Sequence, residues 1–102
     1  MKMKAYLTQE ADGNYTARAE LYDGTQFSLT VNKYDVLPNE PSNGKEVEGF
    51  LMVTELSVQD TRAYIELPAS TLNYGKNILV HRWNLFDPSA TIKDYIGERP
   101  IE

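Results

Sequence analysis

A run of residues that is apolar on both of its alternating sides constrains this fold more than any other feature of the sequence. The run extends from Val47 to Leu56. Successive side chains of an extended chain point to opposite faces. One face therefore carries Val47, Leu51 and Val53, and the other carries Phe50, Met52 and Leu56. A half-solvated strand alternates apolar and polar residues, so this run predicts a central strand that is covered from both sides.

The residues that follow this run predict a long hairpin from Lys45 to Leu67. Residues 57–60 supply the polar residues of a turn, and residues 61–67 then alternate apolar and polar side chains. Gly49, inside the first strand, indicates a bulge or the close approach of a neighbouring backbone. One face of this hairpin needs a cover from another part of the chain or from another molecule.

Three earlier segments alternate in the same way and predict an antiparallel meander: residues 3–8, 15–21 and 27–31. The second turn contains Asp-Gly, which usually marks a two-residue loop. Such a loop would set Leu21 and Phe27 on opposite faces, because a register shift of one residue moves every side chain of a strand to the other face of the sheet. We therefore predict a three-residue loop over residues 22–24, with Gly24 in the left-handed conformation and Ala19 facing Phe27.

Two segments rich in loop-forming residues separate the remaining strands. Residues 34–45 predict a long crossover loop with one helical turn over residues 34–37, because proline disfavours helix in the residue before it. Residues 68–76 predict another loop or short helical turn that ends at Gly75. Residues 77–85 predict the last strand.

The C-terminal segment carries the signals of a short helix. Asp87 suits the N-cap, Pro88 suits the first helical position, and Gly97 suits the C-cap. The apolar residues that share one face at helical spacing are Ile92, Tyr95 and Ile96. A helix this short is marginal alone, so we expect its apolar stripe to dock on the second face of the central strand or on a second copy of the protein.

Taken together, the segments predict six antiparallel strands and one terminal helix. We expect a mainly β fold with one C-terminal helix, built as a small antiparallel six-stranded barrel or a strongly bent sheet, because closure removes exposed strand edges. The 102 residues, numbered 1–102, suffice for a single domain with one modest core.

Composition narrows the classes of partner. The chain has no cysteine and a single histidine, His81, so we expect neither a metal site nor a cofactor. The net charge of −5 and the scattered lysines and arginines disfavour nucleic acid as a partner. No apolar stretch reaches the roughly 20 residues that span a bilayer, and the first residues lack the apolar region of a signal peptide, so we expect a cytoplasmic protein without membrane contact.

The stretch from His81 to Asn84 is the chemically richest part of the sequence. In a strand it would place His81 and Trp83 on one face and Arg82 on the other. One interpretation is a ligand patch in which Trp83 stacks and a cationic side chain binds an anion, with Tyr64 nearby. The other is that Trp83 fills the rim of the core while its polar neighbours are solvated. No serine or threonine has the spacing of a nucleophile paired with His81, so we expect no enzyme.

One segment resembles a known family. Residues 55–60, followed by residues 63–68, are similar to the region around the second signature of PilZ domains, which are cyclic-dinucleotide-binding barrels with a C-terminal helix. Glu55 and Asp60 stand at the first and last places of that signature. The paired-arginine motif that PilZ domains carry upstream is absent, and the similarity covers about a fifth of the chain, so no binding residue is carried over.

Two functional hypotheses follow from these patterns. The first is a non-catalytic interaction module that forms a homodimer, with the second apolar face of the central strand covered by another chain. Its candidate interface residues are Phe50, Met52, Leu56, Ile92, Tyr95 and Ile96. The second is a small-ligand-binding β-barrel, remotely similar to PilZ domains. The residues at its mouth would be Tyr64, His81, Arg82 and Trp83.

Overall fold

The computed structural model of the protein describes residues 1–87. This part of the chain is mainly β, as the alternating patterns predict, and all strand pairs are antiparallel. Its strands are β1 (Lys2–Gln9), β2 (Tyr15–Glu20), β3 (Gln26–Val31), β4 (Val36–Pro38), β5 (Glu46–Met52), β6 (Thr54–Gln59), β7 (Arg62–Thr71), β8 (Gly75–His81) and β9 (Leu85–Phe86). Two short 3₁₀ turns, Lys33–Asp35 and Arg82–Asn84, precede β4 and β9.

The strands form two separate sheets, and neither is closed into a barrel. The larger sheet has the order β3-β2-β1-β5-β4, with β9 also paired to β1. The smaller sheet has the order β6-β7-β8. The prediction of one six-stranded barrel or one strongly bent sheet is therefore wrong for the described residues.

The barrel prediction fails because the predicted central strand is two strands that belong to different sheets. β5 ends at Met52 and β6 begins at Thr54, so the chain changes sheets at Val53. There the backbone bonds to the first residue of the chain, with the Val53 N–H donating to the Met1 carbonyl at 3.0 Å. Side chains continue to alternate where a chain passes from one sheet to another, so the sequence pattern does not reveal the change of sheets at Val53.

The described residues contain no helix longer than the two 3₁₀ turns. The predicted C-terminal helix has its N-cap at Asp87, and its helical residues, with Ile92, Tyr95 and Ile96, lie outside the described residues. The part of the chain that the structure describes has no helix long and apolar enough to cross a membrane.

Both sheets contribute to one hydrophobic core. Strands β1, β2, β3 and β7 bury the side chains of alternate residues, which is why period-two patterns recur along the sequence. Among the most enclosed side chains are Met3, Leu7, Leu51, Ile65, Leu67 and Val80. Because this cluster joins residues of β1 and β5 to residues of β7 and β8, the core holds the two sheets face to face.

The structure confirms the meander and its second turn. β1, β2 and β3 are neighbours in chain order, and Ala19 lies opposite Phe27 in the β2–β3 register. Gly24 has a φ of +89°, as the three-residue loop requires. The predicted three-residue loop is therefore confirmed in both its register and its backbone conformation.

Other local predictions are wrong as well. The helical turn predicted over residues 34–37 ends at Asp35, and Val36–Pro38 form β4. Residues 68–71 belong to β7 rather than to a loop, since β7 continues through Pro68 to Thr71. Proline is tolerated there because the β7–β8 pairing is interrupted between Glu66 and Thr71, so no regular ladder bond needs the missing N–H. The last predicted strand is also shorter than expected, since β8 ends at His81 and a 3₁₀ turn follows.

Candidate functional site

The four candidate ligand residues all lie on the three-stranded sheet or in the turn that follows it. Tyr64 stands in the first half of β7, and His81 is the last residue of β8. Arg82 and Trp83 belong to the 3₁₀ turn, so they do not alternate as strand residues would. This turn brings the Trp83 ring into contact with the His81 ring. In an extended strand the two side chains would stand farther apart.

Three aromatic rings form a stack at this end of the smaller sheet. The His81 and Trp83 rings are nearly parallel, with centroids 4.3 Å apart and an interplanar angle of 10°. The Tyr22 ring covers the imidazole as well, with a centroid distance of 4.3 Å and a tilt of 34°. The Nδ1 atom of His81 is buried and has no hydrogen-bond partner among the described residues. The imidazole is therefore enclosed by rings rather than presented to solvent as an open base.

Tyr22, which sequence reasoning missed as a site residue, joins the two sheets. It follows β2 and lies in the loop that leads to β3 of the larger sheet. Its backbone N–H donates to the Leu79 carbonyl of β8 at 2.8 Å. Its hydroxyl lies 2.9 Å from the Thr61 hydroxyl oxygen, within hydrogen-bond distance. Its place in a polar turn gave no sequence signal for this long-range contact.

Arg82 stabilises the turn between β6 and β7. Its backbone N–H donates to the Thr61 carbonyl at 2.9 Å, and its guanidinium reaches the Asp60 carbonyl at 3.4 Å. Asp60 has a φ of +57°, a left-handed conformation in which aspartate is among the better tolerated residues. The Arg82 side chain is exposed, and its position is explained by these backbone contacts without a ligand.

The outer face of the smaller sheet carries Tyr64 among charged neighbours. Along β7, Arg62, Tyr64 and Glu66 alternate with residues that face the core. Tyr64 is 53% exposed, and the register places Ser57 on one side of it and Leu79 on the other. A cavity of about 210 Å³ lies on this face and is lined by Ser57, Gln59, Arg62, Tyr64 and Leu79.

A second cavity borders the same face. It has a volume of about 300 Å³ and is lined by Leu21, Tyr22, Asp23, Tyr74, Asn77, Ile78 and Leu79. Leu79 lines both cavities, so Tyr64 and the ring stack belong to one continuous surface around β8. We call this surface the Tyr64 face and define it by residues Ser57, Arg62, Tyr64, Glu66, Leu79 and His81.

The structure does not bring the described candidates for the interface together. Phe50 is 2% exposed and packs edge-on against Phe86, with ring centroids 5.5 Å apart. Met52 is half-buried, whereas Leu56 is 53% exposed on the other sheet. The change of sheets at Val53 separates these side chains, so they do not form one surface. Ile92, Tyr95 and Ile96 lie outside the described residues.

Among residues 1–87, the structure places an ion pair on the larger sheet, between Arg18 and Glu46, and none on the Tyr64 face. Arg18 donates two hydrogen bonds to Glu46, at 2.8 and 3.0 Å, and these bonds lower the pKa of the Glu46 carboxyl and raise the pKa of Arg18. Among residues 1–87, neither Arg62 nor Glu66 takes part in an ion pair. The same residues include no cluster of three or more side chains able to hold a metal ion.

The fold and the Tyr64 face define an antiparallel β protein of two sheets with an exposed aromatic surface on the smaller sheet. Comparisons with known protein families, with curated proteins and with solved structures find no match for this chain.

Proposed function

We propose that this protein is a non-catalytic binding module that recognises another protein surface through the Tyr64 face. The observation that carries the proposal is Tyr64 itself. It is 53% exposed on the middle strand of its sheet, beside the apolar side chain of Leu79 and between two charges, Arg62 and Glu66, that have no ion-pair partner among the described residues. An exposed aromatic residue within a rim of charges is typical of protein interfaces.

The shape of this face favours a protein partner over a small molecule. The cavity beside Tyr64 measures about 210 Å³, below the roughly 300–1,000 Å³ of typical small-ligand sites. Its lining residues all belong to strands of one sheet, and its volume leaves room for only a small ligand. A second surface laid across the sheet would cover Tyr64 and Leu79 together.

The surroundings of His81 support a binding role rather than catalysis. A general base needs a hydrogen bond to an orienting group and access to the proton that it removes. The His81 imidazole lies between Tyr22 and Trp83, and its Nδ1 atom is buried without a partner among residues 1–87. A cytoplasmic location stays a prediction from the sequence, which contains no cysteine.

A site-specific photo-crosslinking experiment tests this proposal. Benzoylphenylalanine is introduced at Tyr64 in one variant and at Tyr34 in a control, and both proteins are irradiated in the cells that express them. Tyr34 is 81% exposed but lies in the 3₁₀ turn before β4, away from the smaller sheet. We expect a crosslinked protein of defined mass at position 64 and none at position 34. Equal, diffuse labelling at both positions would refute the proposal.

The alternative is a small-molecule site formed by the ring stack and the larger cavity. The observation that favours it is the cavity of about 300 Å³ beside Tyr22, whose ring lies against His81. Trp83 is the single tryptophan and is stacked on His81, so its fluorescence reports on this region directly. A compound from a screen that changes this fluorescence in the wild type and in Tyr64→Ala, but not in His81→Ala, would support the alternative.

A further inference from the structure

We infer that the partner of the Tyr64 face is a second copy of this chain, related to the first by a two-fold axis that passes over Tyr64. This inference rests on the proposed function and names the partner of the same surface. Its basis is the order of the charges along β7, where Arg62 and Glu66 lie at equal distances on either side of Tyr64 on one face. Equal spacing of opposite charges about a centre makes a surface complementary to itself.

The register of the smaller sheet arranges the outer face in three rows. The middle row consists of Ser57, Tyr64 and Leu79, which are paired across the three strands. The row on one side consists of Gln59, Arg62 and His81, and the row on the other side consists of Thr54, Glu66 and Asn77. Adjacent rows are about 6.7 Å apart, because they are separated by two residues along a strand.

A two-fold axis that runs along the middle row makes every outer position complementary. Two copies packed face to face about this axis have antiparallel β7 strands, so each outer row of one copy lies over the opposite outer row of the other. Arg62 then faces Glu66 of the second copy, and the same contact forms twice. The backbone position of His81 lies over that of Asn77 of the second copy, so no like charges meet across the outer rows.

The charges also exclude the other simple two-fold arrangement. An axis parallel to the strands would lay each row over itself, so Arg62 would face Arg62 of the second copy and Glu66 would face Glu66. Like charges placed directly opposite each other are destabilising. Charge complementarity therefore selects the axis along the middle row, which places Tyr64 and Leu79 of both copies at the centre.

The geometry of packed sheets is compatible with this arrangement. Face-to-face sheets cross at about 30°, which displaces a row at about 6.7 Å from the axis by about 3 Å. Arginine and glutamate side chains are long enough to bridge such a displacement. Three strands of about five residues each cover roughly 240 Å² of sheet per copy, well below the area of a standard stable interface. The dimer is accordingly weak and forms at high protein concentration.

Complementary charge variants test the inference. Arg62→Glu alone places glutamates opposite each other, and Glu66→Arg alone places arginines opposite each other, so each variant loses self-association. When the two variants are mixed, the glutamate introduced at position 62 faces the arginine introduced at position 66, and the native Arg62 and Glu66 face each other. Both contacts of the heterodimer are thereby restored. We expect a roughly tenfold or larger fall in the association constant of each variant alone and recovery in the equimolar mixture, measured by sedimentation equilibrium.

Two controls separate this effect from net charge and from folding. Lys33→Glu and Glu20→Arg make the same changes in charge on exposed residues outside the smaller sheet, and we expect both to associate like the wild type. The double variant Arg62→Glu/Glu66→Arg reverses both contacts, and we expect it to associate as well. Thermal unfolding of each variant verifies that it is folded.

The outcomes distinguish failure of the inference from failure of the proposed function. A wild type that stays monomeric at its highest attainable concentration overturns the inference, as does a mixture that associates no better than its components. If position 64 then crosslinks to a different protein, the binding function stands and the second copy is excluded as its partner. If position 64 crosslinks to nothing, both are overturned.

Discussion

Replacement of Gly49 by alanine is expected to lower the free energy of unfolding by about 2 kcal/mol. Gly49 lies in β5, between β1 and β4. A Cβ atom at this position would lie 2.5 Å from the Leu37 carbonyl oxygen, 2.8 Å from the Pro38 Cα and 2.7 Å from the Leu7 Cδ1. All three distances are shorter than ordinary van der Waals contacts, so some of these atoms must move.

The sign and size of this effect come from two opposing terms. Alanine in a strand without a clash would stabilise the fold by about 0.5–1 kcal/mol, because it has less conformational entropy to lose. Overpacking costs about 1–3 kcal/mol, and we take the upper end because two of the three atoms belong to the backbone of β4. The net loss of about 2 kcal/mol corresponds to a decrease in Tm of roughly 8–16 °C.

Thermal and urea unfolding followed by circular dichroism measure this loss. Gly75→Ala is the matched control, because Gly75 has a φ of +70° and its added Cβ would meet no atom within 4 Å. We expect the control to lose about 1 kcal/mol through its left-handed conformation alone. A Gly49→Ala variant that unfolds at or above the wild-type Tm would show that β4 moves away from the added Cβ atom at little energetic cost. That result would refute the steric explanation.

Two further predictions concern polar side chains, one in the loop before β5 and one pair on the larger sheet. Ser42 is buried, accepts a hydrogen bond from the Gln9 N–H at 2.8 Å and donates one to the Lys45 carbonyl. Ser42→Ala leaves both backbone groups unpaired and is expected to lower stability by about 2 kcal/mol in urea unfolding, with faster hydrogen exchange at Gln9; an unchanged midpoint would contradict this. Arg18 lowers the pKa of Glu46, so the pair stabilises the fold above the ordinary pKa of glutamate, and this stabilisation is lost as the pH falls through the lowered pKa of the folded state. Because these side chains are 35% and 43% exposed, we expect Glu46→Gln to lower stability by about 0.5 kcal/mol at neutral pH and not in acid; an equal loss at both would contradict the ion-pair explanation.

The first three strands show how far period-two reasoning extends. Alternation identified the inward side chains of β1 to β3, and parity then selected the loop that keeps Leu21 and Phe27 compatible. Ala19 lies opposite Phe27, and Gly24 has a positive φ, as the argument required. This succeeded because a short loop couples register directly to the facing of side chains.

Alternation of side chains was not sufficient to describe the apolar run from Val47 to Leu56. The pattern predicted that Phe50 and Leu56 are both buried. Phe50 is 2% exposed, as predicted, whereas Leu56 is 53% exposed. The difference arises at Val53, where β5 ends beside β1 and the chain enters the smaller sheet as an edge strand. An edge strand has one neighbour fewer than a central strand, so apolar side chains on it are less covered.

The candidate site was predicted only in part. The sequence singled out His81, Trp83 and Tyr64 by residue type, and the structure places all three on or beside the smaller sheet. Nothing in the sequence indicated that Tyr22 would cross from the other sheet and cover the imidazole. Nor did any local pattern indicate that β7 would form the middle strand of an open outer face.

By itself, the sequence determined which side chains of β1, β2 and β3 face the core, and it determined the turn between β2 and β3. Those features depend on interactions within a few residues, where alternation and the conformational needs of glycine act directly. Only the tertiary structure decided that β5 and β6 join different sheets and that Tyr22 meets His81. Such pairings join residues far apart in the chain, and their free energies depend on packing among all the strands rather than on the local pattern.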